Sequence, residues 1–109
     1  SINAERNVEG LGLYCSSKAA LTHLTRQLAL ELSPRVRVNA LEPGVVRTRL
    51  ARALYEGREA ELSSVYPLGR LGEPTDIAGA AAFLLGSDAC WITGVALPVD
   101  GGVLLVEPE

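Results

Sequence analysis

Tyr14 and Lys18 are the two residues whose types and spacing most directly suggest chemistry. Four positions apart on a helix, their side chains share one face. Moving a hydride to or from a carbonyl carbon leaves an oxygen that must gain or lose a proton, and a phenol is barely ionised at neutral pH. An ammonium about 4 Å away, at an effective dielectric near 20, favours the phenolate by about 4 kcal/mol. The pair therefore predicts a general acid/base; the simpler alternative is a surface tyrosine and a solvated lysine.

Several short motifs accompany this pair in a fixed order, and Ser1 lies 13 residues before Tyr14. Many helices contain Tyr-x-x-x-Lys by chance, so the ordered set is the stronger signal. Over essentially the whole chain it resembles the short-chain dehydrogenase/reductase family. The further motifs are residues 39–44 with Thr48, 67–74, 76–78, 92–94 and 99–102.

The resemblance implies a role for each of the three leading residues. Ser1 donates a hydrogen bond to the substrate oxygen, Tyr14 is the general acid/base, and Lys18 tunes Tyr14 and holds the nicotinamide ribose. Lys18 is also the only lysine in the chain, since the other nine basic residues are arginines. The implied reaction is hydride transfer between NAD or NADP and a small-molecule carbonyl or alcohol. Without the family spacing, Ser1 reads as an ordinary loop serine.

The Pro-Gly-x-x-x-Thr pattern of the family matches Pro43, Gly44 and Thr48. Because α/β sheets bind their ligands at the carboxyl edge, Gly44 is expected to permit close backbone approach there. Thr48 and the backbone of Val46 are expected to bind the nicotinamide amide. Tyr14, Lys18, Pro43, Gly44, Val46 and Thr48 are thus the expected cofactor-binding residues. The alternative is a strand-terminating turn with a helix cap, and Glu42 stands where the family suggests a small residue.

The dinucleotide-binding glycine turn of this family has no counterpart in the sequence. Gly10 and Gly12 follow no strand, lack a third glycine at the required offset and lead into the helix of Tyr14. We therefore expect residues 1–109 to be the C-terminal part of a single Rossmann-fold domain, cut at its start and complete at its end. The N-terminal cofactor-binding half would be absent, and the piece would be inactive alone.

The elements that must position these residues alternate between helix and strand. Leu21, Leu24, Leu28 and Leu32 form an apolar stripe on a predicted helix of about 20 residues that starts near Tyr14 and ends before Pro34. Alternation predicts a strand over 36–41. We expect a helical substrate lid over 49–66, with one helix over 49–62.

A second long helix is predicted from Pro74 to Leu85, with Asp76 in its first turn and Gly86 as a left-handed stop. The last strand is predicted over 95–99. Helix, strand, helix, strand implies parallel pairing, so the fold class is α/β. We expect the C-terminal part of a Rossmann-type doubly wound parallel sheet, namely its last two strands and flanking helices.

Composition limits the classes of partner. The 109 residues are 48% hydrophobic and 21% charged, with a net charge of −3. No basic field is available for nucleic acid, and no apolar run is long enough to span a bilayer. We expect a cytoplasmic protein without a metal site, because Cys15 and Cys90 form no CxxC and His23 is the sole histidine. Both thiols are expected to be reduced and partly buried.

Three alternatives to this interpretation remain open. The chain could belong to a non-catalytic, dinucleotide-binding protein on the same fold. It could also act mainly in assembly, through the helix that starts at Tyr14 and the apolar residues 103–106; the family commonly forms homodimers or homotetramers. Finally, Arg47, Arg49 and Arg52 could attract an anionic substrate, although charged helix faces are usually only solvated.

Overall fold

The computed structural model describes residues 1–106, in which helices alternate with two short strands. No helix within this range is long and apolar enough to cross a bilayer. The α-helices are α1 (Gly12–Leu32), α2 (Arg52–Tyr55), α3 (Glu59–Val65) and α4 (Pro74–Leu85), and the strands are β1 (Ala40–Pro43) and β2 (Ala96–Val99). Three 3₁₀ helices span Ile2–Ala4, Ser87–Ala89 and Val103–Leu105.

The two strands pair in parallel, as predicted, with Ala40 opposite Ala96 and Pro43 opposite Val99. The predicted span 36–41 of the first strand is wrong, because regular pairing begins only at Ala40. The Val38 N–H donates to the Thr93 hydroxyl. The Val95 N–H donates to the Asn39 side-chain oxygen, so before Ala40 side chains form part of the pairing, beside one backbone bond from the Gly94 N–H to the Val38 carbonyl. The carboxyl ends of both strands nevertheless lie at one edge, where the predicted ligand site belongs.

Helix α1 ends at Leu32, ahead of Pro34, as predicted, and begins two residues before Tyr14. The predicted leucine stripe is only partly buried, since Leu28 and Leu32 are of intermediate exposure. The buried positions are Thr22, Thr25 and Ala29, whereas Leu21 and Leu24 are about half exposed. Small side chains allow close packing, and a Cβ built on Gly94 would lie 3.5 Å from the Cβ of Ala29.

The predicted single helix over 49–62 is instead two short helices, α2 and α3. Gly57, between them, has φ +78°, a left-handed conformation that a continuous right-handed helix does not accommodate. The residues around Gly57 favour a helix by propensity, but the conformation of this single glycine interrupts it. Two separate short helices therefore precede Tyr66.

Helix α4 spans Pro74–Leu85 as predicted, and its start is fixed by side chains. The Glu73 backbone N–H donates to the Asp76 carboxylate at 2.7 Å, and Arg70 donates to both oxygens of that carboxylate. These contacts lower the pKa of Asp76 to about 2, with Arg70 the larger cause. Gly86 is extended rather than left-handed, because the chain passes through it directly into the Ser87–Ala89 helix.

The main cluster of buried apolar residues consists of Ile2, Tyr66, Leu71 and Val103. These residues come from the beginning, middle and end of the chain. The cluster therefore ties the segment after Ser1 to the end of α3 and to the segment after β2. It lies beside the carboxyl edge of the sheet, since the ring of Tyr66 reaches Gly44.

Candidate active site

Tyr14 and Lys18 lie in the first two turns of α1, and the Lys18 ammonium lies over the Tyr14 ring, 5.4 Å from its centroid. A cation at this distance is attracted by the negative face of the ring. Tyr14 remains 44% exposed, so its hydroxyl is accessible to a ligand. The predicted cation and phenol are thus brought together on one face of the helix.

Ser1 caps the Ile2–Ala4 helix, which packs against both α1 and β1. Its hydroxyl oxygen accepts a hydrogen bond from the Asn3 N–H at 3.0 Å. A hydroxyl that accepts one bond still has its own proton to donate. The packing of the Ile2–Ala4 helix against α1 therefore brings the Ser1 segment to the helix that carries Tyr14 and Lys18.

Pro43 and Gly44 end β1 as expected, and the Gly44 N–H donates to the Val99 carbonyl at 3.1 Å. The close approach that Gly44 permits is, however, to the protein itself. A Cβ at position 44 would lie 3.1 Å from Tyr66 Cε1 and 3.2 Å from Asp100 Cα. Glycine is needed at position 44 because Tyr66 and Asp100 lie too close to leave room for a side chain.

Val46 is buried, and its backbone polar groups are free. The Val45 carbonyl and the Arg47 N–H, on either side of it, both bond to Gly72. Along an extended segment, alternate residues direct their backbone groups to opposite sides. The N–H and C=O of Val46 therefore point away from Gly72, and the hydrogen bonds of residues 1–106 include neither. They form a donor and acceptor pair available to a ligand.

Thr48 is exposed and begins the turn before α2. Its hydroxyl oxygen accepts from the Ala51 N–H at 3.2 Å, which closes the turn ahead of α2 without capping the helix itself. The hydroxyl proton is still available to donate. Within residues 1–106, no hydrogen bond joins Tyr14 or Lys18 to Val46 or Thr48, so the two parts of the predicted site remain separate features.

Glu42 is a buried carboxyl beside the candidate site. It is 1% exposed, and neither carboxylate oxygen has a hydrogen-bond partner within the described part of the chain. Burial raises its pKa to about 7, and the neighbouring carboxyl of Glu5 adds to the effect. The only sequence signal was its departure from the small residue expected at this position.

Arg47 is engaged by the protein rather than free for an anionic substrate. It forms ion pairs with Glu59 at the start of α3 and with Glu73, the latter at 3.3 Å. Arg52 is paired with Glu56 within its own helix region. These contacts weaken the suggestion that Arg47 and Arg52 attract an anion.

Other sequence expectations concern the thiols and metal binding. Both cysteines are free; Cys15 is partly buried, whereas Cys90 is exposed, contrary to expectation. Cys90 lies on the surface just after the Ser87–Ala89 helix. Among the described residues, no group of three or more His, Cys, Asp or Glu side chains is placed to hold a metal ion.

Tyr66 is a site-adjacent residue that sequence reasoning missed. Its hydroxyl accepts a hydrogen bond from the Val45 N–H at 2.9 Å, next to Val46. An aromatic residue immediately before Pro67 at the end of a presumed lid gave no distinct signal. The contact spans 21 positions and depends on tertiary packing.

Comparison with known proteins assigns the family. A family model described as enoyl-(acyl carrier protein) reductase matches residues 1–104. Human dehydrogenase/reductase SDR family member 4 is 44% identical over 105 residues, which cover 94% of this chain and 38% of that protein.

Solved structures agree with this match. The ligand-free aldohexose dehydrogenase of Thermoplasma acidophilum has a TM-score of 0.92 and 33% identity, covering 100% of this chain and 47% of that one. A 7α-hydroxysteroid dehydrogenase in complex with NADH and 7-oxo glycochenodeoxycholic acid has a TM-score of 0.87 and 38% identity, covering 94% and 41%. This chain therefore spans less than half the length of these relatives. The matched fold is the α/β Rossmann type, and the relatives belong to an NAD(P)-dependent family. The chain belongs to the short-chain dehydrogenase/reductase family.

Proposed function

We propose that the complete protein containing this chain is an oxidoreductase that transfers a hydride between NAD or NADP and a carbonyl or alcohol carbon. The observation that carries the proposal is the Lys18 ammonium over the Tyr14 ring. Ser1 caps the Ile2–Ala4 helix, which packs against the helix that carries Tyr14 and Lys18. Membership of an NAD(P)-dependent family supports the redox class.

Each of these three residues has a defined task in the proposed reaction. The nicotinamide cofactor supplies or accepts the hydride. During reduction the Tyr14 hydroxyl gives its proton to the substrate oxygen, and during oxidation its phenolate takes the proton from the substrate hydroxyl. Ser1 donates a hydrogen bond to that oxygen through its own hydroxyl proton, which the bond from the Asn3 N–H leaves available. Lys18 stabilises the phenolate and binds the nicotinamide ribose.

The segment after β1 fits the nicotinamide amide, which carries both a donor and an acceptor. The free N–H and C=O of Val46 supply the complementary pair, and Thr48 retains a hydroxyl proton to donate. Pro43 and Gly44 place this segment at the carboxyl edge of the sheet. The preference between NAD and NADP would depend on residues outside this sequence.

We also propose that residues 1–109 are the C-terminal part of a single Rossmann-fold domain. Support comes from the coverage of relatives, of which the chain spans 38% to 47% in the examples above. The glycine-rich turn for the cofactor phosphates would lie in the remaining part. The isolated chain would then be inactive, and the experiments below use the complete protein.

The direct test is Tyr14→Phe, assayed by NADH and NADPH absorbance across a panel of carbonyls and alcohols. We expect turnover to fall by about 100-fold or more, because general acid/base catalysis contributes at least that much. The variant should still bind the cofactor, as measured by fluorescence, because the other five expected cofactor-binding residues are unchanged; retained binding excludes misfolding as the cause. An undiminished rate in the variant contradicts the proposal.

The same assay separates a non-catalytic alternative. If the wild-type protein binds NADH or NADPH but turns over no member of the panel, it is a dinucleotide-binding protein on this fold. Such a protein would have no need of the paired Tyr14 and Lys18, so the presence of both favours catalysis.

A homodimer or homotetramer and a cytoplasmic location stay predictions. The half-exposed Leu21 and Leu24 on α1 support burial of this helix against other protein, whether from the same chain or a second copy. Truncation after Gly102 followed by mass measurement in solution tests the contribution of the apolar residues 103–106. An unchanged mass would rule out assembly through that segment.

A further inference from the structure

Tyr66 is the residue that follows α3, and it is 93% buried, with 7% of its surface exposed. It belongs to the apolar cluster that also contains Ile2, the neighbour of Ser1. Its backbone is held as well, since the Tyr66 N–H donates to Ser63 and its carbonyl accepts from Gly69 at 2.7 Å. The side chain is therefore fixed from several directions.

The ring of Tyr66 fills the space beside two glycines. A Cβ on Gly44 would lie 3.1 Å from Tyr66 Cε1, and a Cβ on Gly101 would lie 3.2 Å from Tyr66 Cδ1. Both distances are shorter than ordinary carbon contacts. One aromatic ring thus accounts for the space that two glycines leave at the carboxyl edge of the sheet.

Whereas the ring packs beside the two glycines, the hydroxyl of Tyr66 accepts a hydrogen bond from the Val45 N–H at 2.9 Å. The Val45 carbonyl accepts from the Gly72 N–H, and the Arg47 N–H donates to the Gly72 carbonyl. Because both backbone groups of Val45 are bonded and Arg47 is bonded beyond Val46, the backbone of Val46 has little rotational freedom. Its free N–H and C=O therefore keep a fixed direction.

We propose that Tyr66 is a positioning residue for the cofactor: its hydroxyl, through the Val45 N–H, holds the unpaired backbone groups of Val46 in the orientation that binds the nicotinamide amide. This inference rests on the proposed function. A phenylalanine would fill the same space beside Gly44 and Gly101 but could not accept the hydrogen bond. Tyr66→Phe therefore removes the positioning contact and keeps the packing.

The first measurement is amide hydrogen exchange in the complete protein, which needs no turnover. A hydrogen bond contributes about 0.5–1.5 kcal/mol, so its loss should speed exchange at Val45 about two- to tenfold. Tyr55→Phe is the matched control, because it removes a tyrosine hydroxyl whose hydrogen bond goes to the Thr48 carbonyl and not to the Val45 N–H. That variant should leave Val45 exchange unchanged, whereas unchanged exchange in Tyr66→Phe overturns the proposal.

The second measurement separates positioning from simple stability. In Tyr66→Phe we expect the KM for NADH or NADPH to rise about two- to tenfold while kcat changes less than twofold. Faster exchange at Val45 with an unchanged cofactor KM means that the contact is only structural, which overturns the positioning role. If Tyr14→Phe abolishes turnover as expected, this result leaves the proposed reaction intact.

A wild-type experiment covers the case in which Tyr66→Phe does not fold. Before cofactor is added, the Val45 amide should be protected and the Val46 amide should exchange faster. Adding NADH or NADPH should then slow exchange at Val46 by about two- to tenfold, as for one new hydrogen bond. An unchanged exchange rate at the Val46 amide on cofactor binding overturns the proposal, because it would mean that the Val46 N–H does not bind the cofactor.

Discussion

The ammonium of Lys18 lies 5.4 Å from the centre of the Tyr14 ring, one helical turn along α1. The helix supplies this arrangement by itself, because residues four apart share a face. Tertiary packing brings the Ile2–Ala4 helix, which Ser1 caps, against α1. A local motif and a packing contact therefore both contribute to the candidate site.

Lys18→Met removes the cation beside the phenol while keeping a side chain of similar length. In alcohol oxidation, where the phenolate is the base, we expect turnover at neutral pH to fall by about 100-fold or more and to recover partly at alkaline pH, where the phenolate forms unaided. The measurement is kcat/KM against pH. Lys18→Arg, which keeps the charge but not the compact ammonium, should restore part of the rate. A profile identical to wild type for Lys18→Met argues against electrostatic tuning.

Ser1 has two separable roles, capping the Ile2–Ala4 helix and donating to the substrate oxygen. Ser1→Ala removes both, whereas Ser1→Asp keeps an acceptor for the Asn3 N–H and has no hydroxyl proton. We expect both variants to lose about 100-fold in kcat, since one donor to a developing oxyanion contributes about that much. Ser1→Thr should retain activity. Retained activity in Ser1→Asp shows that the hydroxyl only caps the helix.

Glu42 should make stability depend on pH. Its folded pKa of about 7 lies above its ordinary value of 4.5, so its favourable contribution is complete below pH 4.5 and is lost as pH rises through 7. Glu42→Gln imitates the protonated form. As pH rises from 5 to 8, we expect the free energy of unfolding of this variant to increase relative to that of the wild type by on the order of 2–3 kcal/mol.

The control for Glu42 is Glu61→Gln, which changes an exposed acid on α3. The difference in unfolding free energy between Glu61→Gln and the wild type should stay constant across the same pH range. Urea unfolding at several pH values gives the free energies. A constant difference for Glu42→Gln would mean that Glu42 is ionised in the folded protein throughout, contrary to the effect of its burial.

Gly44→Ala should destabilise the protein by about 1–3 kcal/mol, because the added Cβ meets the Tyr66 ring and the Asp100 backbone. Gly79→Ala is the matched control: it lies within α4 and has nothing within 4 Å of the added atom. There alanine should stabilise by up to about 1 kcal/mol, as expected in a helix. Thermal unfolding of both variants gives the comparison, and equal effects would contradict the packing at Gly44.

The elements with strong local signals were predictable from the sequence. Helix α4 has a proline start and an acidic first turn, and its predicted span was confirmed. The end of α1 before Pro34 and the parallel pairing of β1 with β2 were also confirmed. The pairing of Tyr14 with Lys18 needed only helical periodicity.

Features that depend on tertiary contacts were not predictable in the same way. The leucine stripe did not reveal which residues of α1 pack inside the chain, because close packing selects the smaller Thr22, Thr25 and Ala29. Regular pairing of the first strand begins later than predicted, because the side chains of Asn39 and Thr93 form hydrogen bonds between the two segments before Ala40.

Two site features likewise followed from three-dimensional packing. Tyr66 meets Val45 across 21 positions, which no local pattern records. The burial of Glu42 against Glu5 joins β1 to the segment after Ser1, and sequence spacing alone does not place these carboxyls together.

Arg47 gives the segment between Val46 and Thr48 a second kind of attachment, made of half-exposed ion pairs to Glu59 and Glu73. Dissolved salt weakens such pairs, whereas it has little effect on a buried neutral hydrogen bond such as that of Tyr66. The two anchors of one short segment therefore respond differently to ionic strength. High salt should therefore weaken the link between Arg47 and α3 while the hydrogen bond between Val45 and Tyr66 is kept.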